Sequence, residues 1–260
     1  MQATTLFEGK SLSVYYYRCT CGPADRPFAE VHRQHSISYV RHGSFGYHTQ
    51  GRLHELVAGA VLVGRPGQEY TATHEHHGCG DECLSVKLSA DFAPVLPPLA
   101  SLPPLPQLMV QGELLHAAAE GRTDVGVDEA AMLFAGRVAG IASHQSKIPF
   151  ESNSRERRKA VESALWIEAN AAEPLDLESM ARQAGLSPFH FLRVFARVLG
   201  VTPHQYLVRT RLRRAAQLLA RRDLPVTEVA LEVGFADLSN FVRTFRRAAG
   251  ISPARFSKSR

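Results

Sequence analysis

Two stretches of this chain repeat each other at an offset of 50: HFLRVFARVLGVTPHQY at 190–206 and NFVRTFRRAAGISPARF at 240–256. The repeat pairs Phe191 with Phe241, Arg193 with Arg243, Phe195 with Phe245, Arg197 with Arg247, Gly200 with Gly250, Pro203 with Pro253 and Tyr206 with Phe256. Side chains four apart lie on the same side of a helix, so each copy predicts a helix docked by its phenylalanines, with arginines turned outward. A glycine followed by a hydroxyl residue and a proline closes that helix and opens the next. The chain therefore uses one helical unit twice.

The surrounding sequence supplies the rest of each unit. From about residue 155 the pattern is helical throughout. RRKAVESALWIEANA buries Val161, Leu165 and Trp166, and Glu173-Pro174 ends it. Asp176 is the expected N-cap of LESMARQAG, which stops at Gly185, and Ser187 caps a third helix with Pro188 in its first position. Thr202 and Pro203 repeat that device for a longer helix running to about Arg222, followed by PVTEVALEVG and a last helix from about Leu238 to Ala249. Helix, glycine-containing turn and second helix recur as ARQAGLSPF and ALEVGFADLS, the order of a helix-turn-helix. Phe191, Val194, Phe195, Phe241 and Phe245 are then core. The outward faces carry Phe189, Leu192, Arg193 and Arg197 in the first unit and Leu238, Ser239, Val242, Arg243 and Arg246 in the second.

Charge separates the same two regions. The net charge of +5 divides into 19 Lys and Arg against 10 Asp and Glu in residues 155–260, and 11 against 15 in residues 1–154. The basic part is the one suited to a polyanion. No apolar run approaches the roughly 20 residues needed to span a bilayer, and MQATTLFEGK lacks the order of a secretory signal; no membrane partner and a cytoplasmic location are expected.

The tail, and GFADLSNFVRTFRRAAGISPARF above all, resembles the DNA-binding domain of the AraC/XylS family of bacterial transcription regulators, over about residues 158–258. The resemblance implies two helix-turn-helix units joined by a rigid helix, each placing a recognition helix in successive major-groove segments on one face of double-stranded DNA. Arg193 and Arg243 are then candidates for forking onto guanine, and Phe189, Leu192, Leu238 and Val242 for thymine methyl groups. Arg197, Arg246, Arg247 and Arg209 would be phosphate contacts. RNA polymerase and a homodimer partner are further expectations, with activation or repression left open.

Residues 11–90 read as short strands, SLSVYYYR, HSISYVR, GYHTQG, AVLVG and CLSVKLS, spaced as in an antiparallel barrel or jelly roll. The prolines of APVLPPLASLPPLPQ make it a connector, and LMVQGELLHAAAE and VDEAAMLFAGRVAGIASHQS read as amphipathic helices. The family resemblance turns this into an α+β chain: a cupin-like antiparallel β-barrel with flanking helices at 1–145 that senses an effector and dimerises, a linker at 146–156, and an all-α DNA-binding domain with two helix-turn-helix units at 157–260. Ala131, Phe134, Ala135, Val138, Ala139 and Ala142 form a stripe expected to pair two subunits.

One stretch of the first domain is absorbed by none of this. HEHHGCGDEC holds His74, His76, His77, Cys79 and Cys83, and Cys19 and Cys21 lie earlier. Thiolate and imidazole are ligands of zinc and similar metals. The sequence leaves three readings open: a zinc site on Cys19, Cys21, Cys79 and Cys83 with His74, His76 or His77; a reversible thiol sensor; and cysteines that are only core. A small-molecule effector inside the strands is the alternative stimulus. A cupin enzyme fused to a DNA reader would need paired histidines and a following glutamate at cupin spacing, which His32 and His35 do not supply; no enzyme activity is expected.

Overall fold

The computed structural model describes residues 1–27, 29–76, 80–90, 99–142 and 152–258. Its first part is a nine-stranded sheet, antiparallel at every pairing. The strands are β1 (Gln2–Glu8), β2 (Leu12–Cys19), β3 (Ala29–Val31), β4 (His35–Thr49), β5 (Arg52–Val57), β6 (Val61–Gly64), β7 (Glu69–Thr73), β8 (Asp81–Leu88) and β9 (Ser101–Leu102). The main path runs β1-β2-β8-β4-β6-β9. β1 and β9 are its two ends and do not pair with each other among the described residues, so the sheet is not closed and the expected cupin-like barrel reduces to an antiparallel sheet.

HSISYVR and GYHTQG are not two strands but one 15-residue strand, β4. Its first half pairs with β8 and β6 and its second with β5 and β7, so a single strand serves two sheet layers. The redirection sits where the register slips between Val40 and His42. Gly43 follows with φ +72°, and a Cβ there would lie 2.0 Å from the carbonyl oxygen of Gly80. Gly80, φ +69°, is equally confined, its notional Cβ 2.3 Å from the carbonyl oxygen of Cys19. Only glycine permits backbones this close.

Alternation along β2, β4 and β8 fills two cores on opposite faces. Val14, Ile37, Tyr39, Leu84 and Val86 pack against helices α1 (Pro106–Ala119) and α2 (Val127–Ala142). Val40, Phe45, Tyr47, Leu56 and Cys83 form the second, between the layers. Ala131, Phe134, Ala135 and Val138 of the anticipated dimer stripe are buried in the first core. The stripe therefore belongs to its own domain and is corrected as a subunit contact: a sheet face this apolar needs it as cover. Met132 and Leu133 are the exposed apolar residues of α2.

The second part is all helix: α3 (Ser154–Ala169), α4 (Leu177–Ala184), α5 (Pro188–Leu199), α6 (Pro203–Arg221), α7 (Val226–Glu232), α8 (Leu238–Ala249) and α9 (Pro253–Lys258). The expected caps are present. Asp176, Ser187 and Thr202 accept from backbone N–H groups in the first turns they open, and α4 stops at Gly185 in the left-handed conformation. α3 starts one residue ahead of the expected 155, in a capping box between Asn153 and Glu156, and ends at Asn170, ahead of Glu173-Pro174. α9 was not expected, although Ser252-Pro253 repeats Thr202-Pro203.

Candidate nucleic-acid interface and cysteine–histidine cluster

The repeat seen in sequence is a repeat in space. Phe191 and Phe195 stack edge-on at 5.6 Å and Phe195 meets Tyr206 at 5.8 Å; in the second unit Phe241 and Phe245 lie 5.7 Å apart and Phe245 meets Phe256 at 5.3 Å. All six are buried, and burial of each aromatic side chain is worth about 1.5–3 kcal/mol. This fixes how α5 and α8 sit and which sides they leave outward. Phe189, Arg193, Leu238, Ser239, Arg243 and Arg246 are exposed, and Leu192 and Val242 are half-buried at the margin of the same faces. Phe189 is 75% exposed, far more than a core phenylalanine.

Two predicted phosphate contacts are spent elsewhere. Arg197 is ion-paired with Glu156 in the first turn of α3, so it braces α5 instead of standing on the open face. Arg209 donates to the backbone carbonyl of Pro104, ahead of α1, at 2.5 Å, which ties α6 to the first domain. Arg247 is exposed. Asn240, which sequence reasoning passed over, is exposed beside Arg243 and accepts a 3.2 Å hydrogen bond from it, setting the direction of that guanidinium. Asp237 caps α8 through the N–H groups of Ser239 and Asn240, which fixes the helix end those residues occupy.

The two domains are packed together through polar groups as well as apolar ones. Val57 of β5 joins the core of the first unit and Val110 of α1 that of the second. Arg213 of α6 donates to Glu168 of α3 at 2.7 Å and to the backbone carbonyl of Arg41 in β4. His42 contacts the same Glu168 oxygen at 3.3 Å. Burial would raise the Glu168 pKa, but Arg213 and His42 outweigh it and hold it down to about 2. The hydrogen bond to Glu168, stronger than the effect of burial, raises that of His42. Arg41 in turn donates to Glu113 of α1 at 3.0 Å and to the Tyr16 hydroxyl at 3.1 Å, so the chain of contacts runs from β2 to α6.

Of the proposed metal ligands, the structure brings together Cys19 and His74, 3.7 Å apart, and adds Asp81, whose carboxylate lies 3.2 Å from the His74 ring nitrogen. The Cys83 thiol is 3.7 Å from the other Asp81 oxygen. Burial pushes the Cys19 thiol up to about 11 and raises that of Cys83 as well. Cys21 stands beside Cys19. His76 is not in the group; it lies 3.4 Å from the Ser154 hydroxyl at the start of α3. His77 and Cys79 lie outside the described residues. Asp81 could have been found in sequence: it stands two before Cys83, and two apart on a strand means one face.

A family model described as a helix-turn-helix domain matches residues 180–259. Over 112 residues the chain is 35% identical to the probable transcriptional regulator LumQ of Photobacterium leiognathi, covering 43% of this chain and 45% of that one. Over 95 residues it is 33% identical to the HTH-type transcriptional activator AarP of Providencia stuartii, covering 36% of this chain and 70% of AarP. It is 38% identical over 95 residues to the HTH-type transcriptional activator RhaS of Escherichia fergusonii, covering 36% of this chain and 34% of RhaS. The match thus spans under half of LumQ and about a third of RhaS. Among solved structures, a probable AraC family transcriptional regulator from Rhodopseudomonas palustris is 30% identical, covering 38% of this chain and 94% of that one, with a TM-score of 0.36.

Proposed function

Because this chain belongs to the AraC family of transcription regulators, we propose that it binds specific double-stranded DNA sequences through α5 and α8 and regulates transcription from them. The supporting observation is the pair of open faces, Phe189 with Arg193 and Leu238 with Arg243, left uncovered while the first domain is docked. They are joined by α6, whose 19 residues at about 1.5 Å each make about 28 Å, near the roughly 34 Å turn of B-DNA. Arg193 and Arg243 read base edges, Arg246 and Arg247 hold phosphates, and the apolar residues touch methyl groups.

The first domain is read as the effector-sensing part, a cupin-like arrangement in which α1 and α2 cover one face of the sheet. AarP and RhaS are named activators, and activation with RNA polymerase as partner is carried to this chain as part of the reading. So is a homodimer, now assigned to the exposed Met132 and Leu133 side of α2, and a location in the cytoplasm. No catalytic step belongs to it. In-vitro selection from random duplexes with the full chain tests the reading: recovery of one motif with two contacted segments about a helical turn apart supports it, and enrichment of no motif at a salt concentration that suppresses non-specific binding overturns it.

A further inference from the structure

At one end of the ladder β2-β8-β4, Cys19 stands directly opposite Asp81, and Gly43 opposite Asp81 on the other side. Positions 19 of β2 and 81 and 83 of β8 face the same way, toward the core that contains Cys83. His74 comes from a different strand layer, directly after β7, and reaches the same point. One donor atom from each of Cys19, His74 and Asp81 lies within 4.8 Å of the other two. Three donors converge from three chain segments at this strand end: His74 and Asp81 are each under a tenth exposed, and Cys19 is half-buried.

The distances fit an ion. With about 2.3 Å for zinc to sulfur and about 2.0–2.2 Å for zinc to nitrogen or oxygen at tetrahedral angles, neighbouring donors should stand about 3.6 Å apart for S and N, and about 3.4 Å for N and O. The observed separations are 3.7 Å for Cys19 and His74, and 3.2 Å for His74 and Asp81. A set of one thiolate, one imidazole and one carboxylate excludes hard ions such as magnesium or calcium, which take oxygen. A plain His74–Asp81 hydrogen bond needs neither a thiol at its side nor the two confined glycines, Gly43 and Gly80, that bring the three strand ends together.

We propose that Cys19, His74 and Asp81 bind a divalent transition metal of the zinc and cobalt class as a three-ligand protein site, with water in the fourth position. The site has two routes to the second domain. His76, two residues after one ligand, touches Ser154 of α3. Glu82, next to another, pairs across the sheet with His42, which touches Glu168. Metal binding is therefore coupled to the docking of α3; the consequence for DNA affinity rests on the DNA-binding reading above.

Full-length protein prepared without affinity-tag metal and stripped with chelator is titrated with Co²⁺ alone and then with Zn²⁺. One equivalent of Co²⁺ should bring thiolate-to-metal charge transfer and the strong visible bands of a tetrahedral centre, both erased by Zn²⁺. Cys19→Ser should remove the charge-transfer band, and His74→Gln should weaken Co²⁺ at least about tenfold, with circular dichroism of the apo forms unchanged. No tetrahedral spectrum in the parent protein, or an unaltered one in both variants, overturns the site. Mobility shifts of a selected duplex with and without Zn²⁺ then read the coupling. A change of about fivefold or more that His74→Gln abolishes supports it, and equal affinity with the metal bound refutes it. Stoichiometric Co²⁺ uptake by a chain that selects no duplex would sink the DNA reading and leave the metal site standing.

Discussion

The guanidinium of Arg213 meets the carboxylate of Glu168 at 2.7 Å, with 4% and 8% of the two side chains exposed. Arg213 stands on the helix that joins the two helix-turn-helix units, Glu168 on the first helix of the helical part, and the same guanidinium also holds the backbone of Arg41 in β4. The pair thus closes a joint among three elements. Removing one partner leaves a buried charge unopposed, which costs about 3–5 kcal/mol. Glu168→Gln should lower thermal stability by that order at neutral pH. Because the folded-state pKa of Glu168 is depressed to about 2, its contribution is present above its ordinary value and lost as pH falls toward 2. The gap between parent and Gln variant in urea melts should narrow between about pH 5 and about pH 2; a constant gap would contradict the pairing.

His42 titrates in the opposite sense. Its pKa is raised by Glu168, so the stabilisation is fully present below the ordinary imidazole value of about 6.5 and is lost as pH rises through the raised one. Parent and His42→Gln should differ most in melting temperature below about pH 6.5 and converge as pH rises through the raised value. Convergence at low pH instead would show that the imidazole is not held by Glu168.

The arginines of the repeat should sort into three behaviours. Arg243→Ala should weaken a selected duplex by about 1–3 kcal/mol and relax preference at one base pair. Arg246→Ala should weaken all duplexes alike and reduce the salt slope by about one. Arg197→Ala should leave base preference intact and cost about 1 kcal/mol of stability through the loss of Glu156. Fluorescence anisotropy across a salt series, alongside a denaturant melt, separates the three; a base-specific loss in Arg197→Ala would return that residue to the open face.

Gly80→Ala places a methyl group into the Cys19 carbonyl and forces a left-handed residue, so it should destabilise the first domain by more than 1 kcal/mol or so. Gly67, at φ +77° but with open space around its notional Cβ, should tolerate Ala better. Equal stability of the two variants would mean that the strand ends can part without loss.

Leu133 of α2 is 52% exposed. Light scattering on full-length protein at tens of micromolar should show a dimer that Leu133→Glu converts to monomer. Monomer in both would remove the homodimer from the proposed function.

What could be read from the sequence follows from how local the cause is. The second domain was legible almost to the residue because Ser187-Pro188, Thr202-Pro203, Gly185 and the spaced phenylalanines are short-range signals, and the repeat states them twice. α9 was missed although Ser252-Pro253 carried the same sign. β1 and β7 were missed because QATTLFE and EYTAT bury little and are strands only because neighbours pair with them; β5 was missed because only its last two residues, Leu56 and Val57, are buried, too short a run to show a strand period. The join of two apparent strands into β4 depends on Gly80 lying against Gly43, 37 positions away in the chain. Arg197 looked like a DNA contact because the partner that claims it, Glu156, belongs to a helix 41 residues earlier. Asp81 escaped notice beside more conspicuous cysteines, though its alternation with Cys83 was available.

The position of Arg213 carries one more consequence. The first domain grips α6, the spacer between α5 and α8, through Arg213 and Arg209, whereas the exposed side chains proposed to meet bases are left alone. A caliper behaves this way: its jaws keep their shape while the bar sets the gap. A signal arriving along β4 would change how far apart, and at what rotation, two fixed readings are taken, so a regulated operator would be distinguished by the phasing of its two segments with their base content unchanged.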